Sequence, residues 1–237
     1  MLVEFYNYLA IYFNYICAMN SLVEENYLKA LFHLSENGRG EVNVKDLSEH
    51  LEIKMPTVNS MMKKLAEKDL VIYESYKPLR LSEKGVIKAS LVVRKHRLTE
   101  MFLVEKMGFG WEQVHEVAEQ IEHIQSTLFF DKMDQILNYP KVDPHGSPIP
   151  DKDGNLEIIN YKKLAEFKKG DVVEICAVIY SSEDFLKYLN SKDIQLNDKI
   201  KILDLEEFDG TMTVQFYEKE NKIETFSNHV TLRLLAK

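Results

Sequence analysis

The nine residues "HEVAEQIEH", from His115 to His123, hold two histidines and three glutamates, side chains that bind divalent cations through nitrogen and oxygen. Read as a helix, at about 100° per residue, the stretch places His115, Glu119, Glu122 and His123 within a sector of about 100°. Val114, Val117, Ala118, Ile121, Ile124 and Leu128 fall on the other side. The expectation is a helix with an apolar face for a core and a carboxylate and imidazole face that is solvated, paired or metallated. His96 and Glu100 repeat the theme upstream, since a spacing of i and i+4 offers two ligands on one helical face.

Singly, each of these residues has an ordinary explanation: a surface glutamate is usually solvated, and an isolated histidine usually makes a routine hydrogen bond. Together, on consecutive helices, they supply enough ligands for one or two divalent cations. Unpaired carboxylates facing one another repel unless a proton or a cation intervenes. Oxygen and imidazole donors without thiolate suit manganese or ferrous iron better than copper or structural zinc. "EQIEH" lacks the second histidine of a zinc-protease signature, and no paired Glu-x-x-His repeat of a di-iron bundle occurs. Three readings stay open on the residues alone: a metal-sensing regulator, a metalloenzyme fused to an adaptor, and a metal-independent scaffold in which the acids pair with lysine and arginine.

The elements that position these residues divide by charge. Lys45 to Arg97 carries twelve Lys/Arg against seven Asp/Glu, whereas Leu98 to Asn160 carries four against twelve. A basic module joined to an acidic one fits a protein that meets polyanion at one end and cation at the other, despite a formal net charge of −8. Cys17 and Cys176 provide no zinc-knuckle spacing and point to a reducing, cytoplasmic compartment. The opening "MLVEFYNYLAIYFNYICA" is interrupted by Glu4 and two asparagines and fits neither a secretory signal nor a spanning helix. It is expected to be a dispensable extension, and no membrane partner is expected.

Ser21 to Ser35 reads as a helix behind a Ser-x-x-Glu capping box, Val44 to Leu51 as a second, and Pro56 as the first turn of a third. "LVIYESYKPLRLSEKG" then alternates about a Tyr-Lys-Pro tip, as a hairpin wing does. Helix, helix, turn, helix and wing predict a winged helix-turn-helix that binds double-stranded DNA. Lys54, Pro56, Thr57, Asn59, Ser60, Lys63 and Lys64 on or beside the third helix, with Lys77 and Arg80 on the wing, are its expected contacts. A long helix from Ser82 to Met107 carries His96 and Glu100, and Thr127 to Leu137 forms another. Phe102, Trp111, Phe129 and Phe130 exceed the needs of so small a core and predict a homodimer on an imperfect palindrome. "NYPKVDPHGSPIPDKDGN" reads as a boundary loop. Beyond it come "DVVEICAVI", "DKIKILDL", "TMTVQFY", "KIETFS" and "VTLRLLA", five short strands broken by the helix "SEDFLKYLNS", as in a small barrel.

In order and spacing, "EENYLKALFHLSE", "MPTVNSMMKKLAEKDLV", "VRKHRLTEMFL", "VHEVAEQIEH" and "DPHGSPIP" make the chain resemble the diphtheria-toxin-repressor-like, metal-dependent transcriptional regulators. The resemblance runs from Ser21 to Lys237. It implies an α+β multidomain protein: an extension at 1–20, a winged-helix domain at 21–82, a helical metal-binding and dimerisation domain at 83–150, and an SH3-like, FeoA-like domain at 151–237. It further implies a non-enzymatic regulator, most simply a repressor of metal-uptake genes, with no small-molecule substrate. Its primary metal site takes a first-helix residue, here Asn26, with Glu119, Glu122 and His123. An ancillary site takes His96, Glu100 and His115, completed from the SH3-like domain by Asp184, beside which Glu183 could substitute.

Two positions depart from the family pattern. Asn26 stands where Met or Asp is usual, and Lys29 stands where manganese-specific members carry a second glutamate. A primary plus ancillary arrangement is therefore expected in place of a binuclear one. Glu119 stands where iron-responsive relatives carry cysteine, which makes Mn(2+) the expected ion and Fe(2+) its close competitor.

Overall fold

The protein is described by a computed structural model that covers residues 22–157 and 159–237, so the expected extension and Ser21 of the capping box lie outside the described residues. The chain divides into two compact units. Among the described residues, one comprises 22–96, Ile121–Gln125 and Pro150–Leu156; the other comprises Arg97–Gln120, Ser126–Ile149, 157 and 159–237.

The first unit is the helix-turn-helix and its wing. Helix α1 covers 22–34, α2 Val44–His50 and α3 Met55–Glu67. The hairpin strands β1, Val71–Ile72, and β2, Arg80–Leu81, pair antiparallel. Tyr27, Leu28, Leu31 and Phe32 of α1, one helical face, bury against Leu47 of α2 and Val58, Met62 and Leu65 of α3. Pro56 sits in the first turn of α3, where its missing N–H costs nothing. Helix α4, Glu83–Met107, begins in this unit and adds Ala89 and Val93 to the same core.

In the second unit α4 continues past Arg97, followed by α5, His115–Ile121, and α6, Thr127–Ile136. Ser126 caps α6 by accepting the Phe129 N–H. Six strands follow, all paired antiparallel: β3 Lys162–Lys163, β4 Val172–Val178, β5 Lys199–Leu205, β6 Met212–Phe216, β7 Ile223–Phe226 and β8 Leu234–Ala236, in the order β3-β8-β4-β5-β6-β7. Helix α7, Glu183–Ser191, lays Phe185, Leu186 and Leu189 on the sheet core of Ile175, Ile200, Ile202, Val214 and Phe216. The expected final strand is split, because Asn228–Thr231 forms a short helix, α8, before β8.

Three expectations change in the folded chain. Helix α5 stops at Ile121, so Glu122 and His123 lie in the following turn and not on the helix itself. Ile124 and Leu128, expected on the apolar face, are 40% and 68% exposed. The segment around "DPHGSPIP" is packed and hydrogen-bonded, with Asp143, His145 and Ile149 buried. A Cβ at Gly146, where φ is +85°, would lie 2.2 Å from the Cys176 carbonyl oxygen, so the loop can press on β4 only with glycine there. Gly146→Ala is expected to destabilise the second unit by about 1–3 kcal/mol or more, read from urea denaturation. Unchanged stability would mean that the loop packs loosely.

Candidate metal centres and nucleic-acid interface

In the first unit, α1, α4 and the turn after α5 bring Glu25, Lys29, His96, Glu122 and His123 together. Glu122 is fully buried. Its Oε2 lies 2.6 Å from His96 Nδ1, and Lys29 Nζ donates to both of its oxygens at 2.8 and 2.9 Å. His123 Nδ1 is 2.8 Å from Glu25 Oε2, and its Nε2 is 3.5 Å from Glu122 Oε1. A carboxylate acceptor on Nδ1 fixes that nitrogen as the donor and leaves Nε2 turned toward Glu122, the carboxylate–histidine arrangement that orients a metal-binding imidazole. Gln125 donates to Glu25 Oε1 at 3.0 Å and completes that carboxylate's shell.

The second unit holds another cluster. Glu100, Asp143 and His145 are each buried, and one ligand atom from each lies within 4.8 Å of the others. His145 Nδ1 is 3.7 Å from Glu100 Oε2. Its Nε2 is 2.9 Å from the Trp111 carbonyl, which only accepts, so Nε2 carries a hydrogen and Nδ1 faces the carboxylates. The indole of Trp111 stacks on the same ring, with 6.0 Å between centroids. Asp143 Oδ1 accepts the backbone N–H groups of His145 and Ser147 at 2.8 and 2.9 Å. Its Oδ2 is 3.6 Å from Arg97 Nε, and Arg97 also donates to the Pro148 carbonyl.

Burial, then the Glu100 charge, push the Asp143 carboxyl above its ordinary value, against the opposing pull of Arg97 and His145. Burial also lowers the Arg97 guanidinium, despite Asp143 and Glu100. For His145, burial is outweighed by Glu100 and Asp143, which hold the imidazole above its usual value. Two buried carboxylates beside a buried imidazole are a site whose charge a divalent cation would balance, and their hard and borderline donors fit manganese or ferrous iron.

Within the first unit His96 contacts Glu122. Glu119, 36% exposed in its side chain, is 3.6 Å from His115 in the second, and His115 Nδ1 is 3.5 Å from Glu100. Asn26 is exposed on α1, and the adjacent Glu25 is the α1 acid that reaches His123. Asp184 is exposed in the first turn of α7 and belongs to none of the ligand clusters among the described residues. Its neighbour Glu183 lines, with His115, His145 and Trp111, a cleft of about 660 Å³. Glu25, Asp143 and His145 were the residues that sequence reasoning missed. "DPHGSPIP" carried the signal for the last two, because an Asp and a His two apart in a Pro/Gly turn are placed by rigid backbone.

On the nucleic-acid side, Lys54, Pro56, Thr57, Ser60, Lys63, Lys77 and Arg80 are exposed, while Asn59 and Lys64 are half-buried. Lys77 pairs with Glu74, Arg80 with Glu41, and Lys64 with Glu24 on α1. Burial alone would raise the Glu24 carboxyl, but hydrogen bonds and charge from Lys68 and then Lys64 hold it below its usual value. The apolar excess is also redistributed: Phe130 is buried and Trp111 packs on the sheet core, leaving Leu128, Phe129 and Ile136 as exposed members of α6.

Comparison with known proteins matches three family models along the chain. Residues 20–79 match the iron-dependent repressor N-terminal DNA-binding domain, 82–151 its metal-binding and dimerisation domain, and 162–224 the FeoA domain. The iron-dependent repressor IdeR of Mycobacterium tuberculosis is 36% identical over 134 residues, covering 56% of this chain and 58% of IdeR. The diphtheria toxin repressor of Corynebacterium diphtheriae is 27% identical over 214 residues, covering 85% and 93%. A manganese-dependent transcriptional repressor in complex with manganese superposes with a TM-score of 0.82 at 29% identity, over 90% of this chain and 98% of that one. The manganese regulator SloR does so with a TM-score of 0.71 at 32% identity, over 90% and 97%. Among the described residues no helix is long and apolar enough to cross a membrane. A DNA-binding domain, a metal-binding and dimerisation domain and a FeoA domain, matched in that order on a shared fold, place this chain in the diphtheria-toxin-repressor-like family of metal-dependent transcriptional repressors.

Proposed function

We propose that the protein is a cytoplasmic, homodimeric repressor that binds an imperfect palindromic operator when manganese, or its competitor ferrous iron, is bound. The observation that carries this reading is the double duty of α1. Its apolar face is part of the winged-helix core, and its polar face delivers Glu25 and Lys29 to His123 and Glu122. A cation held there acts on an element of the DNA-binding unit directly. Glu122 and His123, with Glu119, are read as the primary ligands; Glu100, His115, Asp143 and His145 as the ancillary ones. Asn26, His96 and Asp184 are retained as candidates that the bound ion would have to draw in. The bound metal would supply positive charge that binds these acids and imidazoles in one arrangement, and by linkage DNA must tighten metal as much as metal tightens DNA.

Domains at 21–82, 83–150 and 151–237 remain the proposed division, with the exposed Leu128, Phe129 and Ile136 offered to the dimer partner. Control of metal-uptake genes is part of the same proposal, supported by the likeness to repressors named as iron- and manganese-dependent. The test is selection of duplexes from random sequence with manganese present, followed by binding in manganese and in chelator. An inverted repeat with half-sites about one helical turn apart, bound in manganese and released by chelator, is expected. Equal binding in both conditions would overturn metal gating, and a site without two-fold symmetry would overturn the dimer.

A further inference from the structure

Glu24 belongs to neither ligand cluster, yet its side chain is only 3% exposed. Lys68 Nζ donates to its two oxygens at 2.7 and 2.8 Å, and Lys64 Nζ lies 3.1 Å from Oε1. Lys64 is in the last turn of α3 and Lys68 is its C-cap, so one carboxylate on α1 grips the end of the recognition helix at two points. The next residue, Glu25, reaches His123, and Lys29 reaches Glu122.

Helices α1 and α3 also share apolar packing, through Leu28, Leu31, Met62 and Leu65 among others. Apolar burial is non-directional and tolerates small slides of one helix on another. Charge-assisted hydrogen bonds to a buried carboxylate are directional, and breaking them strands a charge. A displacement of α1 of an ångström or two is therefore passed to α3 chiefly where Glu24 holds it.

We infer that Glu24 is a positioning residue that couples the metal centre to the recognition helix: its grip on Lys64 and Lys68 makes α1 and α3 move as one piece. The inference rests on the metal-gated reading above. It differs from direct DNA contact by Lys64 or Lys68 in a measurable way. A lysine that merely touches phosphate changes DNA affinity equally with and without metal, whereas a coupling residue changes the ratio of the two.

The test uses the full chain, manganese chloride monitored by electron paramagnetic resonance of the free ion, and a duplex selected by the unaltered protein. Manganese affinity is measured with and without duplex, and the ratio is the coupling factor. In Glu24→Gln the factor is expected to fall at least tenfold, while manganese affinity without duplex stays within twofold and Glu24→Asp recovers part of the loss. Lys68→Met, at a residue whose side chain is 48% exposed, removes the same grip from the other side and should lower the factor even if Glu24→Gln folds poorly. A factor unchanged in both variants overturns the coupling role. A factor of one in the unaltered protein defeats the metal-gated reading itself, and the coupling role falls with it.

Discussion

Glu122→Gln is expected to raise the manganese concentration for half-maximal operator binding by more than about 100-fold. Substitutions in the outer shell of a metal site typically cost about 10–100-fold in affinity, and Glu122 is proposed as a ligand itself. The variant also has a structural cost. Glu122 is fully buried between Lys29 and His96, and a neutral amide removes a negative charge from beside the ammonium, in a side chain only 12% exposed. Breaking a buried ion pair from one side costs about 3–5 kcal/mol. A fall in melting temperature in the absence of metal should accompany the lost response. Manganese titration by electron paramagnetic resonance and operator binding in parallel separate the two effects. If the variant binds operator at the same manganese concentration as the unaltered protein, Glu122 is only a structural acid and the ion lies elsewhere.

Asp143→Asn should remove much of the stabilisation that manganese brings to the second unit. The amide keeps an oxygen for the backbone N–H groups of His145 and Ser147 and discards the charge, so the loop is retained while the cluster with Glu100 and His145 loses a ligand. A ligand at a hundred times its dissociation constant stabilises by about 2.7 kcal/mol, which for a domain of this size moves the melting temperature by about 5–10 °C. The metal-induced rise should shrink by that order in the variant. Burial and the neighbouring Glu100 already hold the Asp143 carboxyl above its ordinary value, so charge at this position costs stability near neutral pH until a cation balances it. Removing that charge relieves this cost but takes a counter-charge from the buried Arg97, and because the two oppose each other the stability of the metal-free protein should change less than the metal-induced rise. A manganese-induced rise that is identical in both proteins would falsify an ancillary site at these residues.

The two variants address different units, and their metal responses are expected to be separable in calorimetry. Glu122→Gln should leave the metal-dependent stabilisation of the sheet-bearing unit in place. Asp143→Asn should leave the Glu25–His123 pairing in place.

The sequence by itself determined the elements and the chemistry. Hydrophobic spacing at helical period placed the four helices that carry or flank the ligands, because a face that must be buried repeats every three or four residues whatever its neighbours are. The wing was legible because strand alternation changes to turn residues at Tyr76-Lys77-Pro78. The ligand types were legible because oxygen and imidazole donors without thiolate leave few metals. Only the tertiary structure decided which ligands meet. Helical projection assumed that α5 ran through His123, but the chain turns after Ile121, and it is from that turn that Glu122 meets His96 and Lys29. No periodicity announces such a turn, since it is set by long-range partners, here a lysine 93 residues away from Glu122. The same holds for the partners of Asp143 and His145, since "DPHGSPIP" signals a rigid turn holding an Asp and a His but not what that turn packs against. Asp143 and His145 are buried beside Glu100 because Gly146 lets the backbone press against β4, a contact between segments that local sequence does not encode.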